Sequence, residues 1–185
     1  MIDVNELRSG VTFELDDNLF KVIEYSHHKI GRGKASIRTK IRNMRNGVIT
    51  DKTFTSGDKV QDVHLDYREV QYLYNDGDLY YFMDTETYEQ PILNASMLGD
   101  AIQYLKEGLV VKLTSYENDP LDIDLPTAVE LTVVEAQAGV KGDTATGANK
   151  LVTVETGLKV QVPLFINQGD TIRVDSRNGA YLTRV

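Results

Sequence analysis

Short runs of alternating apolar and polar residues, each cut off by turn-forming residues, leave this chain little choice but β structure. Val11 to Leu15 and Phe20 to Tyr25 flank Asp16-Asp17-Asn18. Asn46-Gly47 and Ser56-Gly57-Asp58 enclose a further strand from Thr50 to Thr55. Roughly sixty residues thus hold five short strands and no stretch with helical periodicity over two turns, the pattern of an SH3-like barrel. A Gly-Asp pair precedes an alternating strand again at Gly77 and Gly169, which hints at repeated small barrels.

The boundaries follow from changes in character. Residues 1–64 read as the first domain. From Leu65, Glu69 to Tyr74 and Leu79 to Met83 flank Asn75-Asp76-Gly77-Asp78, a strong hairpin signal. Six of the ten tyrosines fall between Tyr67 and Tyr88, and with only Arg68 among them they read as sheet packing rather than base stacking. Leu98, Ala101, Ile102 and Leu105 share one helical face, with Gly108 placed as the glycine just past the helix end. Leu109 to Tyr116, a turn at Asn118-Asp119-Pro120, and Leu121, Ile123 and Leu125 alternating with Asp122 and Asp124 complete a small barrel of OB type over residues 65–126. Pro126-Thr127 opens a third domain, 127–185. It has strands at 129–135, 151–154, 159–162, 171–174 and 181–185, and a long glycine-rich loop from Gly139 to Lys150.

Charge is distributed unevenly over this scaffold. Lys29 to Arg45 carries seven lysines and arginines and no acid, whereas the rest of the chain holds 13 basic residues against 28 acidic ones. Gly31 and Gly33 bracket Arg32 and allow a tight tip, flanked by Lys34. Beyond the tip, Ile37, Thr39 and Ile41 alternate with Arg38, Lys40 and Arg42, so the three cations share a strand face. A basic hairpin on an acidic body suits a local polyphosphate partner, folded RNA above all. Charge that merely protects a sheet edge, or keeps an interaction module soluble, is the plainer alternative.

Other chemistry finds no support. Gly33-Lys34 is followed by Ala35, not the Ser or Thr of a P-loop. His27 and His28 are neighbours on a strand and point to opposite faces, a poor arrangement for one metal. No carboxylate pair or nucleophile motif stands out, so no enzyme, cofactor or metal is expected. The absence of cysteine fits a reducing compartment. Met1 to Leu7, with neither a basic start nor an apolar core, is not expected to act as a signal peptide, and no run approaches membrane-spanning length. A cytoplasmic monomer is the expectation.

Several stretches together resemble the bacterial elongation factor P family, itself related to the hypusine-containing archaeal and eukaryotic translation factor. They are Lys29-x-Gly31-Arg32-Gly33-x-Ala35 with Lys40-x-Arg42-Asn43, Gly99-Asp100-Ala101, and Gly142-Asp143-Thr144-Ala145. Gly157-Leu-Lys-Val-Gln-Val-Pro-Leu-Phe165 and Val174-Asp175-x-Arg177-x-Gly179-x-Tyr181 complete the set. The resemblance implies an all-β protein of three small barrels in an L shape, a KOW-like domain followed by two OB folds with one short helix in the middle. It implies binding to the rRNA of both ribosomal subunits between the P and E sites, and relief of stalling at consecutive prolines. The tip residue Arg32, with Gly31, Gly33 and Lys34, would approach the CCA end of the P-site peptidyl-tRNA. Lys29, Arg38, Lys40, Arg42 and Arg45 would bind RNA. Gly142, Asp143, Thr144 and Gly147 would face the E-site mRNA codon, and Tyr181 and Arg184 the small subunit and tRNA. Ile30 stands where relatives commonly have proline. Arg32 matches the rhamnosylated branch while its glycine flanks match the lysine-tipped one, so a tip-modifying enzyme, and a bare tip, both stay open. A general RNA-binding or ribosome-assembly factor is the competing class.

Overall fold

The computed structural model describes residues 1–29, 33, 35–137 and 149–185. Its N-terminal sheet is built from β1 (Ile2–Asp3), β2 (Thr12–Leu15), β3 (Asn18–His28), β4 (Ser36–Asn43), β5 (Ile49–Thr55) and β6 (Lys59–Asp62), with a 3-10 turn at Val4–Glu6. The six strands run in the order β1-β6-β2-β3-β4-β5. Asp16 and Asp17 both adopt positive φ, 51° and 59°, and join Leu15 to its partner Asn18 in the tight hairpin their sequence signalled. On β4 the expected alternation is realised: Ile37, Thr39 and Ile41 are buried while Arg38 is exposed and Lys40 and Arg42 are half-buried. The inward residues meet Val4, Leu7, Phe13, Val22, Phe54 and Val60 in one apolar core. Phe13 is fully buried there, with the Phe54 ring edge-on at 6.0 Å.

β3 pairs with β4 from Phe20 opposite Asn43 to His28 opposite Ser36, and its register shifts between Val22 and Glu24. Ile23 is the extra residue of this bulge. Below it Lys21 faces Arg42; above it Glu24 faces Lys40 and Ser26 faces Arg38.

Further along lie β7 (Asp66–Asp76), β8 (Leu79–Asp84), β9 (Ile92–Asn94), α1 (Ala95–Leu98), β10 (Val110–Tyr116) and β11 (Asp119–Asp124), in the sheet order β11-β10-β7-β8-β9. Tyr72, Tyr80 and Phe82 pack together, so the tyrosine-rich strand pair is a packed sheet as read. Three expectations change here. The helix is a single α turn followed by a 3-10 stretch at Gly99–Tyr104, not one helix through Leu105. Gly99 sits at φ 54°, where an α-helix cannot continue, and Gly108 at φ 83° serves a separate turn whose N–H reaches the Tyr72 carbonyl. The turn after Tyr116 falls one residue earlier, at Glu117 and Asn118, both with positive φ. And Asp122, expected to share the polar face with Asp124, is buried.

The last sheet contains β12 (Ala128–Ala136), β13 (Asn149–Val154), β14 (Lys159–Pro163), β15 (Thr171–Asp175) and β16 (Tyr181–Arg184), in the order β14-β13-β12-β15-β16. Its valines and isoleucines at 129, 133, 152, 154, 160, 162, 166, 172 and 174, with Leu131, form a core that also takes in Tyr104. The contacts gather the chain into two units. One comprises residues 1–67 with Ser96–Leu98 and Thr114–Asp122, and the other comprises Arg68–Ala95, Gly99–Leu113 and Ile123–Val185. No helix among the described residues is long and apolar enough to cross a membrane.

Candidate nucleic-acid interface

The outer face of β3, β4 and β5 is a grid of three rows. Ser26, Arg38 and Thr53 form the first, Glu24, Lys40 and Asp51 the second, and Lys21, Arg42 and Ile49 the third. The upper two rows line a shallow groove. Arg38 stands exposed between two hydroxyl residues, and among the described residues no ion pair engages it. Lys40 is bound to Glu24 at 3.1 Å and has Asp51 on its other side, so the middle row of the grid carries two acids against one cation. Arg42 faces inward to the protein's own groups. Its guanidinium donates to the Met97 carbonyl and lies 4.0 Å from the Asp122 carboxylate, which also holds Lys21 at 3.4 Å. Arg42 thus shares the strand face of Arg38 and Lys40 and engages part of its guanidinium within the first unit.

Lys29 is exposed at the end of β3. Arg45 is exposed in the turn after β4, where the Asn43 side chain accepts from the backbone N–H groups of Arg45 and Asn46 and fixes the turn. Near it the Tyr116 phenol is pushed above its ordinary pKa, first by the Glu117 carboxylate, then by burial and Glu14, with Arg45 opposing them. Gly33 is exposed and nothing lies within 4 Å of where a Cβ would stand. Gly31, Arg32 and Lys34 lie outside the described residues, as do Gly142, Asp143, Thr144 and Gly147.

In the second unit Tyr181 is half-buried against the core of the last sheet, opposite Val174. Arg184 is exposed, lies 3.9 Å from Asp170 and spreads over the exposed Phe165 ring at 5.4 Å from its centre. Asp175 binds Arg177 through two side-chain hydrogen bonds at 3.0 and 2.6 Å and accepts the Arg177 backbone N–H. These hold its carboxyl down at about 2. The residues the sequence reading missed are Lys21 and Asp122. They stand 101 positions apart, and no local pattern announces such a pair.

Comparison with known proteins covers the chain in three segments. Residues 3–60 match the elongation factor P KOW-like domain, 65–123 the elongation factor P OB domain, and 129–184 the elongation factor P C-terminal domain. Elongation factor P of Moorella thermoacetica is 50% identical over 184 residues, that of Thermoanaerobacter sp. 51% over 185, and that of Acetivibrio thermocellus 50% over 185, each alignment covering the whole of both chains. Among solved structures, a protein described as eukaryotic translation initiation factor 5A from Methanococcus jannaschii superposes with a TM-score of 0.53 at 24% identity. The match spans 67% of this chain and 91% of that one, a likeness of fold. With matches running from one end of the sequence to the other at half identity, the chain belongs to the elongation factor P family of translation factors.

Proposed function

We propose that this chain binds the ribosome between the P and E sites and promotes peptide-bond formation where consecutive prolines stall it. The supporting observation is the β3–β4 hairpin: two long paired strands that carry cations on one face, within the segment that matches the elongation factor P KOW-like domain. Proline constrains the nascent chain and its own amine, so it reacts slowly. A factor that holds the peptidyl-tRNA end in reactive geometry lowers the entropic part of the barrier and needs no acid, base or nucleophile of its own. The protein is accordingly a non-enzymatic, cytoplasmic monomer in this reading, with domains at 1–64, 65–126 and 127–185.

Arg32, carried by Gly31, Gly33 and Lys34, approaches the CCA end, and is the residue a modifying enzyme would act on. Lys29, Arg38, Lys40, Arg42 and Arg45 supply phosphate contacts. Gly142, Asp143, Thr144 and Gly147 face the E-site codon, and Tyr181 and Arg184 the small subunit and tRNA. The test is Arg32→Ala in a purified translation system reading a polyproline template. Rescue is lost while thermal unfolding is unchanged; full rescue by the variant overturns the reading.

A further inference from the structure

The tyrosine-rich strand pair of the second unit has two faces, and its packed interior uses one of them. Tyr72, Tyr80 and Phe82 are buried there against one another. Period-two alternation would send Tyr74 inward with Tyr72. The β7–β8 register shifts between them instead, and the extra residue, Leu73, turns Tyr74 to the opposite face. There Tyr74 lies opposite Tyr81, the rings stacked at 4.7 Å and 16°, and Tyr81 lies opposite Ile92 on β9. The adjoining row is Asp76, Leu79 and Asn94. Tyr74 is 53% exposed, Ile92 44% and Leu79 38%. Two stacked rings and two aliphatic side chains thus share one outer sheet face.

Clustered exposed apolar side chains mark a binding surface, and the charge around them selects what binds. Residues 66–94 hold seven acids and one cation, Arg68, whose guanidinium is engaged by Asp84 and Glu89. The face includes the second and third strands of an OB domain, where such folds hold oligonucleotides. Here a nucleic acid would bring a phosphate with every stacked base toward a stretch whose one cation is already paired. A second copy of the chain would bring the same excess of acid. A guanidinium suits both features of the face. It is attracted to tyrosine ring faces and to a carboxylate such as Asp76 in the next row, and its aliphatic stem covers side chains such as Ile92 and Leu79.

We propose that the outer face of β7, β8 and β9 docks an arginine-bearing segment of a protein partner, with Tyr74 and Tyr81 as the anchor and Asp76 as the counter-charge. This face is on a different sheet from the cationic hairpin and takes a partner of the opposite charge. It therefore adds a protein contact to the RNA contacts proposed above, and it stands or falls independently of them.

The test is an NMR titration of the isotope-labelled full chain with a decapeptide of alternating glycine and arginine. Amide shifts gather at 74–76, 79–81 and 92–94. A glycine–lysine decapeptide of equal charge binds several-fold more weakly, because an ammonium lacks the planar face that stacks on a ring. Tyr74→Leu keeps apolar area and removes the exposed ring, and Asp76→Asn removes the counter-charge; each weakens binding by roughly fivefold. Glu135→Gln, which deletes the same charge from an exposed position on the last sheet, leaves binding within about twofold of wild type. The spectrum of each variant reports directly that it is folded. Shifts spread evenly over the acidic surface, or equal binding of the two decapeptides with Tyr74→Leu unchanged, overturn the assignment in favour of bulk charge. A decauridine RNA that moves the same amides at lower concentration than the arginine peptide overturns it in favour of base stacking. Sedimentation as a dimer that Tyr74→Leu abolishes overturns it in favour of self-association.

Discussion

The Lys40 ammonium lies 3.1 Å from the Glu24 carboxylate on the neighbouring strand. A count along the chain scores Lys40 as one of seven cations in an acid-free stretch, but across the sheet it faces Glu24 and Asp51. Glu24 is well exposed and Lys40 half-exposed, so the ion pair contributes little to stability. Its effect falls on binding.

Glu24→Gln should therefore leave thermal unfolding within about 0.5 kcal/mol of wild type while raising affinity for structured RNA. Removing one acid about 4 Å from a phosphate-binding cation is worth up to about 1 kcal/mol in water, a gain of up to roughly fivefold. Binding titrations at low and physiological salt check it: the gain shrinks as salt rises. No gain at low salt would mean that Lys40 does not meet RNA.

Gly47→Ala should destabilise the first unit by well over about 1 kcal/mol, because φ is +74° and the new methyl would meet a backbone oxygen that has no side-chain freedom to yield. Gly169→Ala is the control. Its φ is +91° but nothing lies within 4 Å, so only the backbone strain remains and the loss is smaller. Urea unfolding of both variants distinguishes close approach from conformation alone.

Tyr104 sends its ring into the core of the last sheet, where burial, with Asp100 and Asp175, raises its phenol pKa. Tyr104→Phe keeps the ring and should cost less than about 1.5 kcal/mol. Tyr104→Ala should cost about 3 kcal/mol or more, in line with other deletions of buried aromatic rings. Chemical denaturation of the pair separates the ring from the hydroxyl.

Asp175 titrates at about 2 in the folded protein, below its ordinary value of 3.8, because Arg177 hydrogen-bonds and neutralises it. A depressed folded pKa means the unfolded chain binds the proton more readily. The stabilisation is complete above about pH 4 and fades as pH falls from there toward 2. Asp84, lowered by backbone N–H groups of Thr87 and Glu86, acts in the same direction. Asp175→Asn should be less stable than wild type at pH 7, with the difference shrinking as acid is added. A difference constant from pH 7 to pH 2 would show that charge at Asp175 is irrelevant.

What sequence made legible was whatever is local. Alternation along 37–42, positive-φ turns at Asp16-Asp17 and Gly77, and the hairpin between them follow from neighbours a few residues apart. The helix failed at a single residue: apolar spacing from Leu98 to Leu105 is genuine, but Gly99 at φ 54° converts the segment to 3-10 geometry. Asp122 was misread, and the partners of Arg42 went unseen, for the opposite reason. Their environment is supplied by residues far away in sequence, and period-two alternation places Asp122 beside Asp124 with no hint that two cations would enclose it. The two acids that flank Lys40 in the middle row likewise need the cross-strand register, including a bulge that no composition argument locates.

That bulge at Ile23 has a bearing on how such proteins can diverge. Because it inverts the phase of β3, odd positions below it and even positions above it look the same way. An insertion or deletion of one residue in the outer half would turn Glu24, Ser26 and His28 to the core side and bring Tyr25 out. Unless a further bulge absorbs the odd residue, reach is lengthened or trimmed in paired increments, each of roughly 6.6 Å. The finger's span is in effect quantised.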